Sequence, residues 1–214
     1  MTFTLNDEIT ESKLEWNVTP LFSKVLSIAE IDNNTCSNLQ KICSTVSWID
    51  DNQETGHLSG YSENREILDK YLGIKQYLNS VSLSCMKGIL NFDTEIQITT
   101  SWFTRTFKNG YCTEHSHCNS WYSAVLYFGD YDDNSSKIMF KTDSPRILVN
   151  QLKNNFLNST WLTLSPQQGM IIIFPSEVRH LVTPNNSENI RYSLSFNIMP
   201  RGTVGKGDSS FTYK

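Results

Sequence analysis

Ile190-Arg191-Tyr192-Ser193-Leu194-Ser195-Phe196-Asn197-Ile198-Met199 alternates polar and apolar residues over most of its length. Successive side chains of a strand point to opposite faces, so Arg191, Ser193, Ser195 and Asn197 share one side. Tyr192, Leu194, Phe196 and Ile198 share the other. A wholly apolar face needs a packing partner. The polar face either meets water or lines a pocket, and an arginine with a serine two residues on suits a pocket that takes a carboxylate: the guanidinium fork offers two-point donation and the hydroxyl adds a third contact.

Working outward, residues 166–169 (Pro-Gln-Gln-Gly) form a turn that feeds the apolar run 170–174, and Phe174-Pro175-Ser176 follows. Residues 138–140 and 147–150 are short strand candidates. Residues 122–128 are another, ended by the acidic stretch 129–134. Residues 96–107 are rich in Thr, Trp and Phe and run into Lys108-Asn109-Gly110, a turn. Short strands separated by polar turns predict a mainly β fold of the barrel or sandwich kind, here a jelly roll over residues 96–200. Residues 1–95 predict helical support and the first strands. Within them, residues 13–31 read as a strand entering a helix after Pro20. A second helix is expected over 38–48 and a polar loop, with His57 in it, over 54–61. Apolar residues from Ile67 to Val81 recur at helical spacing, punctuated by Gly73. Residues 201–214 form a Gly-containing polar tail, expected either to be flexible or to cover a site. At 214 residues the chain is expected to be one domain with a substantial core.

Composition narrows the function. A net charge of −4 with no Lys/Arg block argues against a nucleic-acid binder that works by phosphate neutralisation. The longest apolar run is far short of the ~20 residues that cross a bilayer. The first residues lack a basic region and an apolar core, so no signal peptide is expected and the expected location is the cytoplasm. Five cysteines without a CxxC pair read as free thiols in that setting, mostly small buried apolar residues.

Three of the four histidines fall in two short segments, Glu114-His115-Ser116-His117 and His180. On an extended strand His115 and His117 point the same way and can grip one metal ion, with His180 as a distant third ligand. The same alternation carried from 115 to 127 places His115, His117, Asn119, Trp121, Ser123, Val125 and Tyr127 on one face. Neutral imidazoles suit Fe(II), Zn, Ni and Cu, and three protein ligands leave open positions, as catalytic metals need. Tyr127 is a candidate phenol for the carboxylate held by Arg191 and Ser193. Cys112 and Cys118 flank the histidines as candidate sulfur ligands, and Asp143 is the nearest candidate carboxylate. Trp102, Trp121 and Tyr122 are core residues or a substrate platform.

These residues together resemble the iron(II)- and 2-oxoglutarate-dependent dioxygenases, and most closely a small uncharacterised branch common in marine bacteria and their phages. The resemblance rests on 114–120 (Glu-His-Ser-His-Cys-Asn-Ser), 123–128, 166–169, 174–176, 180–185 (His-Leu-Val-Thr-Pro-Asn) and 191–197, covering roughly residues 96–200. It implies a double-stranded β-helix with iron(II) on His115, His117 and His180. It also implies 2-oxoglutarate anchored by Arg191 with Ser193, and dioxygen as oxidant. The activity implied is decarboxylation of 2-oxoglutarate to succinate, coupled to hydroxylation of a protein side chain or a small metabolite. A phage-encoded copy would act in the host cytoplasm. One departure stands out: His117 occupies the place of the carboxylate in the usual triad. Two other readings fit the same residues. One is a cupin-like three-histidine metalloenzyme that does not use 2-oxoglutarate. The other is a non-catalytic β-sandwich of phage structure or adhesion.

Overall fold

The computed structural model describes residues 19, 23–50, 58–142, 147, 150, 152–153, 155 and 158–213. Twelve strands and two α-helices run through them. The strands are β1 (Ser27–Glu30), β2 (Trp48–Asp50), β3 (Ser59–Ser62), β4 (Glu95–Thr106), β5 (Cys112–His115) and β6 (Tyr122–Leu126). They continue as β7 (Ile138–Lys141), β8 (Trp161–Leu164), β9 (Met170–Pro175), β10 (Arg179–Val182), β11 (Arg191–Val204) and β12 (Phe211–Tyr213). Helices α1 (Asn33–Cys43) and α2 (Leu72–Ser84) lie between the early strands, α2 running on into a π-helical turn over Cys85–Ile89.

The strands form two sheets. The major sheet has the order β1-β9-β6-β11-β4-β3-β2, with β12 paired to the far end of β11; the minor sheet has the order β5-β10-β7-β8. All the pairings between these strands are antiparallel. This is the double-stranded β-helix expected from the sequence.

Two apolar layers flank the major sheet. Leu194, Phe196 and Ile198 of β11 face the helices, packing with Ala124, Leu126, Ile171, Ile173, Leu39 and Leu78. Val125, Ile172 and Phe174 face the other way and meet Ile138 and Phe140 of the minor sheet. Strand β9 is therefore apolar on both faces, which explains why residues 170–174 show no alternation. Its entry needs Gly169, whose φ of +84° lies in the left-handed region and whose Cβ would stand 2.8 Å from the Ile31 carbonyl.

Several sequence expectations are corrected. Residues 27–30 are strand, not helix, while Pro20 and the residues around it lie outside the described set. The helix expected over 38–48 is α1, which starts five residues earlier and ends at Cys43. Asp32 caps it, accepting from the Thr35 amide (2.9 Å) and hydroxyl (2.7 Å). Part of the expected loop 54–61 is β3, hydrogen-bonded to β4. His57 and Asp143 lie outside the described residues, and the strand expected over 147–150 is not seen at Ile147 or Asn150. The tail pairs back on β11 through β12, at the end of that strand away from Arg191. Among the described residues no helix is long and apolar enough to cross a membrane.

Candidate metal centre

His115 ends β5 and His180 lies on β10, and the two are direct partners across that antiparallel pair. Such partners lie close enough for their side chains to meet, and the two rings are 4.3 Å apart by centroid. His117 is not on a strand. The chain leaves β5 after His115 and turns through Asn119 (φ +55°) before β6 begins in the other sheet. The single face proposed for 115–127 is therefore broken. His115, His117, Ser123 and Val125 line one cavity, whereas Trp121 packs on Phe92 at 4.9 Å beside the helical layer. The His117 amide donates to the Ser176 carbonyl (2.9 Å), which pins the turn against the end of β9. Below it Ser176 and Ser123 share a hydrogen bond of 2.8 Å, and Ser123 donates to Asn197 Oδ1 at 2.9 Å.

One ligand atom from each of His115, His117 and His180 lies within 4.8 Å of the others. His115 Nδ1 lies 2.8 Å from the Thr113 carbonyl and His180 Nδ1 lies 2.9 Å from that of Val178. A carbonyl oxygen only accepts, so each Nδ1 carries the proton and each Nε2 keeps its lone pair for a metal. Burial holds the His180 imidazolium down at about 3, with Phe140 and Phe174 rings 5.9 and 5.0 Å away; its other two histidine neighbours push the same way. Burial, then the charge of His115, lowers His117 to about 4. Both rings are thus neutral near pH 7, the form that binds metal. Glu114 turns outward to Lys141 and Arg179 and is not in the cluster. Nor are the cysteines: Cys118 is exposed, and Cys112 Sγ lies 3.8 Å from His115 Nδ1.

The major sheet supplies the opposite wall of the cavity, about 170 Å³ in volume. Arg191 enters from β11 and is only 3% exposed. It donates to the Tyr127 hydroxyl (3.1 Å) and, at 3.4 Å, to Ser193 Oγ, while its Nε has no partner. Among the described residues no carboxylate pairs with it. Ser193 also meets Thr104 Oγ1 at 2.6 Å. Burial raises the Tyr127 phenol despite the nearby guanidinium, so the hydroxyl keeps its proton. The expected residues therefore converge on one cavity or, for Tyr127, on Arg191 at its wall. Trp102 joins them, its ring 5.9 Å from His117. Tyr122 is buried in the helical layer. Thr104, Gly60, Tyr61 and Cys112 also line the cavity. Thr104 was legible from the alternation Trp102, Thr104, Thr106; Gly60 and Tyr61 were hidden by reading β3 as loop.

Three histidines, His180 buried and His115 and His117 half-buried, thus share one cavity of a double-stranded β-helix with the buried Arg191, an arrangement with donors for a metal ion and for a carboxylate. Residues 100–197 match the family described as "Putative 2OG-Fe(II) oxygenase". That segment, just under half of the chain, carries the three histidines, Arg191, Ser193 and Tyr127, and is what the chain shares with that family. Solved structures of the same fold include a 2OG-Fe(II) oxygenase family oxidoreductase from Burkholderia pseudomallei (TM-score 0.58, 13% identity, 81% of this chain and 83% of that one). HygX from Streptomyces hygroscopicus, solved with nickel and 2-oxoglutarate, superposes at TM-score 0.60 with 9% identity over 82% of each chain. A Pseudomonas putida prolyl-4-hydroxylase gives 0.56 with 16% identity over 83% of this chain and 93% of that one. No curated protein matches the chain by sequence.

Proposed function

We propose that His115, His117 and His180 hold iron(II) through their ring nitrogens, and that Arg191, Ser193 and Tyr127 anchor the distal carboxylate of 2-oxoglutarate. The observation that carries this reading is Arg191: a buried guanidinium whose Nε lacks a partner, on the same cavity as three imidazoles. An unpaired buried charge is costly, so the fold keeps it for a ligand that neutralises it. The donor set fits the metal. Nitrogen ligands suit Fe(II), and fixed tautomers point two Nε2 lone pairs inward. All three ligands are neutral, so the charge of the filled site is more positive by one than with the usual carboxylate.

Bound iron(II) with 2-oxoglutarate and dioxygen supplies oxidative decarboxylation to succinate coupled to hydroxylation of a C–H bond. The chain's own residues position and protect. The Thr113 and Val178 carbonyls fix two imidazoles, and Ser176 fixes the turn carrying the third. Arg191 fixes one end of the cosubstrate, and the Thr104 contact orients Ser193 toward it. Val125 and Ile138, with Phe140 and Phe174 behind His180, form an apolar wall that excludes water. The substrate is a small metabolite or a protein side chain. The histidine in place of the acid supports the marine bacterial and phage branch, and five free cysteines suit a reducing cytoplasm.

Anaerobic titration of iron(II) with 2-oxoglutarate tests the site. The reading expects a visible metal-to-ligand charge-transfer band, lost in His180→Ala and weakened in Arg191→Ala. Metal uptake without any band, in the presence of excess 2-oxoglutarate, would sink the cosubstrate assignment.

A further inference from the structure

Two arginines lie beside β3, and the fold treats them differently. Arg105 of β4 is neutralised: its Nε donates to Asp50 Oδ1 at 3.0 Å and a second nitrogen pairs with Oδ2. Gly60 makes this possible, since a Cβ there would stand 2.1 Å from Asp50 Oδ1. Arg65 has no such partner among the described residues. Its guanidinium lies 3.6 Å over the Tyr61 ring and 5.9 Å from that of Trp102. Both rings line the cavity. The segment that carries Arg65 is tied to β4, because its carbonyl accepts from the Ser101 amide at 2.7 Å. Stacking on aromatic faces leaves the guanidinium edge, with its N–H fork, free to donate.

Trp102 links this cation to the metal centre. Its ring is 5.9 Å from Arg65 Cζ and 5.9 Å from the His117 ring, so two steps of 5.9 Å leave no more than about 12 Å between guanidinium and imidazole. That span is short enough for one small molecule to touch both. The site also carries one negative charge fewer than a two-histidine, one-carboxylate site, so an anionic substrate meets less repulsion there.

We propose that Arg65 is a specificity-determining residue that selects small carboxylic acids as substrates. It would hold the carboxylate at the rim and place the reacting carbon beside Trp102 and the metal ligands. This rests on the function proposed above. Arg191 takes the cosubstrate's carboxylate deep in the cavity, and Arg65 takes the substrate's at its mouth.

The test loads the protein with nickel(II) and saturating 2-oxoglutarate, so that Arg191 is occupied. Phenylacetate, hippurate and N-acetyl-leucine are then titrated calorimetrically, each against its primary amide. At least one acid should bind about tenfold or more tighter than its amide, the effect of a charge-assisted hydrogen bond. Arg65→Gln should bring that pair within about twofold while leaving 2-oxoglutarate affinity unchanged. Arg65→Lys should retain part of the preference. The proposal is overturned if no acid is preferred over its amide, or if the preference survives in Arg65→Gln. If the first titration shows no uptake of nickel and 2-oxoglutarate, the underlying assignment fails before any acid is added, and this proposal falls with it.

Discussion

Replacing Arg191 with methionine separates a binding role from a structural one. In the wild type the guanidinium is buried with two hydroxyl partners, Tyr127 at 3.1 Å and Ser193 at 3.4 Å, and an unsatisfied Nε. Methionine has a comparable length and fills the space without a charge. Removing the unpaired cation relieves a desolvation penalty, whereas unpairing the Tyr127 hydroxyl costs about 1 kcal/mol. The two effects largely cancel, so ligand-free stability should stay within about 1 kcal/mol, or about 2–4 °C in Tm for a chain of this size. Ligand binding should respond very differently. Truncating one member of a buried charge pair costs about 3–5 kcal/mol, which weakens binding on the order of a hundred- to a few thousand-fold. Wild-type protein loaded with nickel(II) gains about 2.7 kcal/mol at 2-oxoglutarate one hundred times its Kd, a rise of roughly 5–10 °C. At the same concentration Arg191→Met should show a rise under about 2 °C. Differential scanning calorimetry with and without 2-oxoglutarate reads both quantities. A variant that unfolds many degrees earlier without ligand would mean that Arg191 serves the fold. One that keeps the full ligand shift would place the carboxylate elsewhere.

Glu114 neighbours His115 yet pairs with Lys141 and Arg179, so Glu114→Gln should change nickel affinity by less than about threefold and leave stability close to that of the wild type. A large loss of metal in equilibrium dialysis would restore it as a ligand. Asn185 is fully buried and its side chain binds three backbone groups, the Ser136 amide and the Thr106 and Asn189 carbonyls. Asn185→Ala should cost about 2–4 kcal/mol in urea unfolding by stranding those groups, and a cost below 1 kcal/mol would contradict that account. Metal-free stability should also fall between pH 7 and pH 5. Folding holds His180 at about 3 and His117 at about 4, against about 6.5 in the unfolded chain. The unfolded state therefore takes up protons as pH drops through about 6.5 while the folded state does not, and most carboxylates do not titrate in that window. His180→Gln should flatten the slope of urea midpoint against pH; a slope that is unchanged in the variant would rule out His180 as its source.

Much of this site was legible because its chemistry repeats at strand spacing. Arg191 and Ser193 sit two apart on the longest alternating run, and the structure puts that run in a strand with its apolar face on the helices. The histidines were legible as types and spacing, but the reason they meet was not. The pairing of His115 with His180 joins residues far apart in the chain, and neither segment carries a local mark of its partner. Where the reading failed, local signals were weak or ambiguous. The residues from Asp32 to Thr35 look like a polar loop, and the same polarity is what caps α1. Strand β3 holds Gly60 in only four residues, and glycine argues against strand unless another group crosses closely, as Asp50 does here. The break at Asn119 was signalled by Cys118-Asn119-Ser120, since asparagine tolerates the left-handed region, but the alternation on either side concealed it.

The two sheets divide the work of the site. The minor sheet and the turn leaving it carry all three histidines, whereas the major sheet carries Arg191, Ser193 and Thr104. Their separation is set by the apolar layer between the sheets: Val125 and Ile172 on one side, Ile138 and Phe140 on the other, with Phe140 also packing on His180. Packed interiors resist small volume changes, so this layer holds the three histidines and Arg191 at a fixed distance. The rim is built from different elements. Tyr61 comes from β3, and Arg65 follows it in a loop bridged to β4 at Ser101. Substitutions at the rim can therefore change which substrate is accepted without moving either the histidines or Arg191. Substitutions in the layer between the sheets cannot, because they alter the one distance that both halves of the chemistry share.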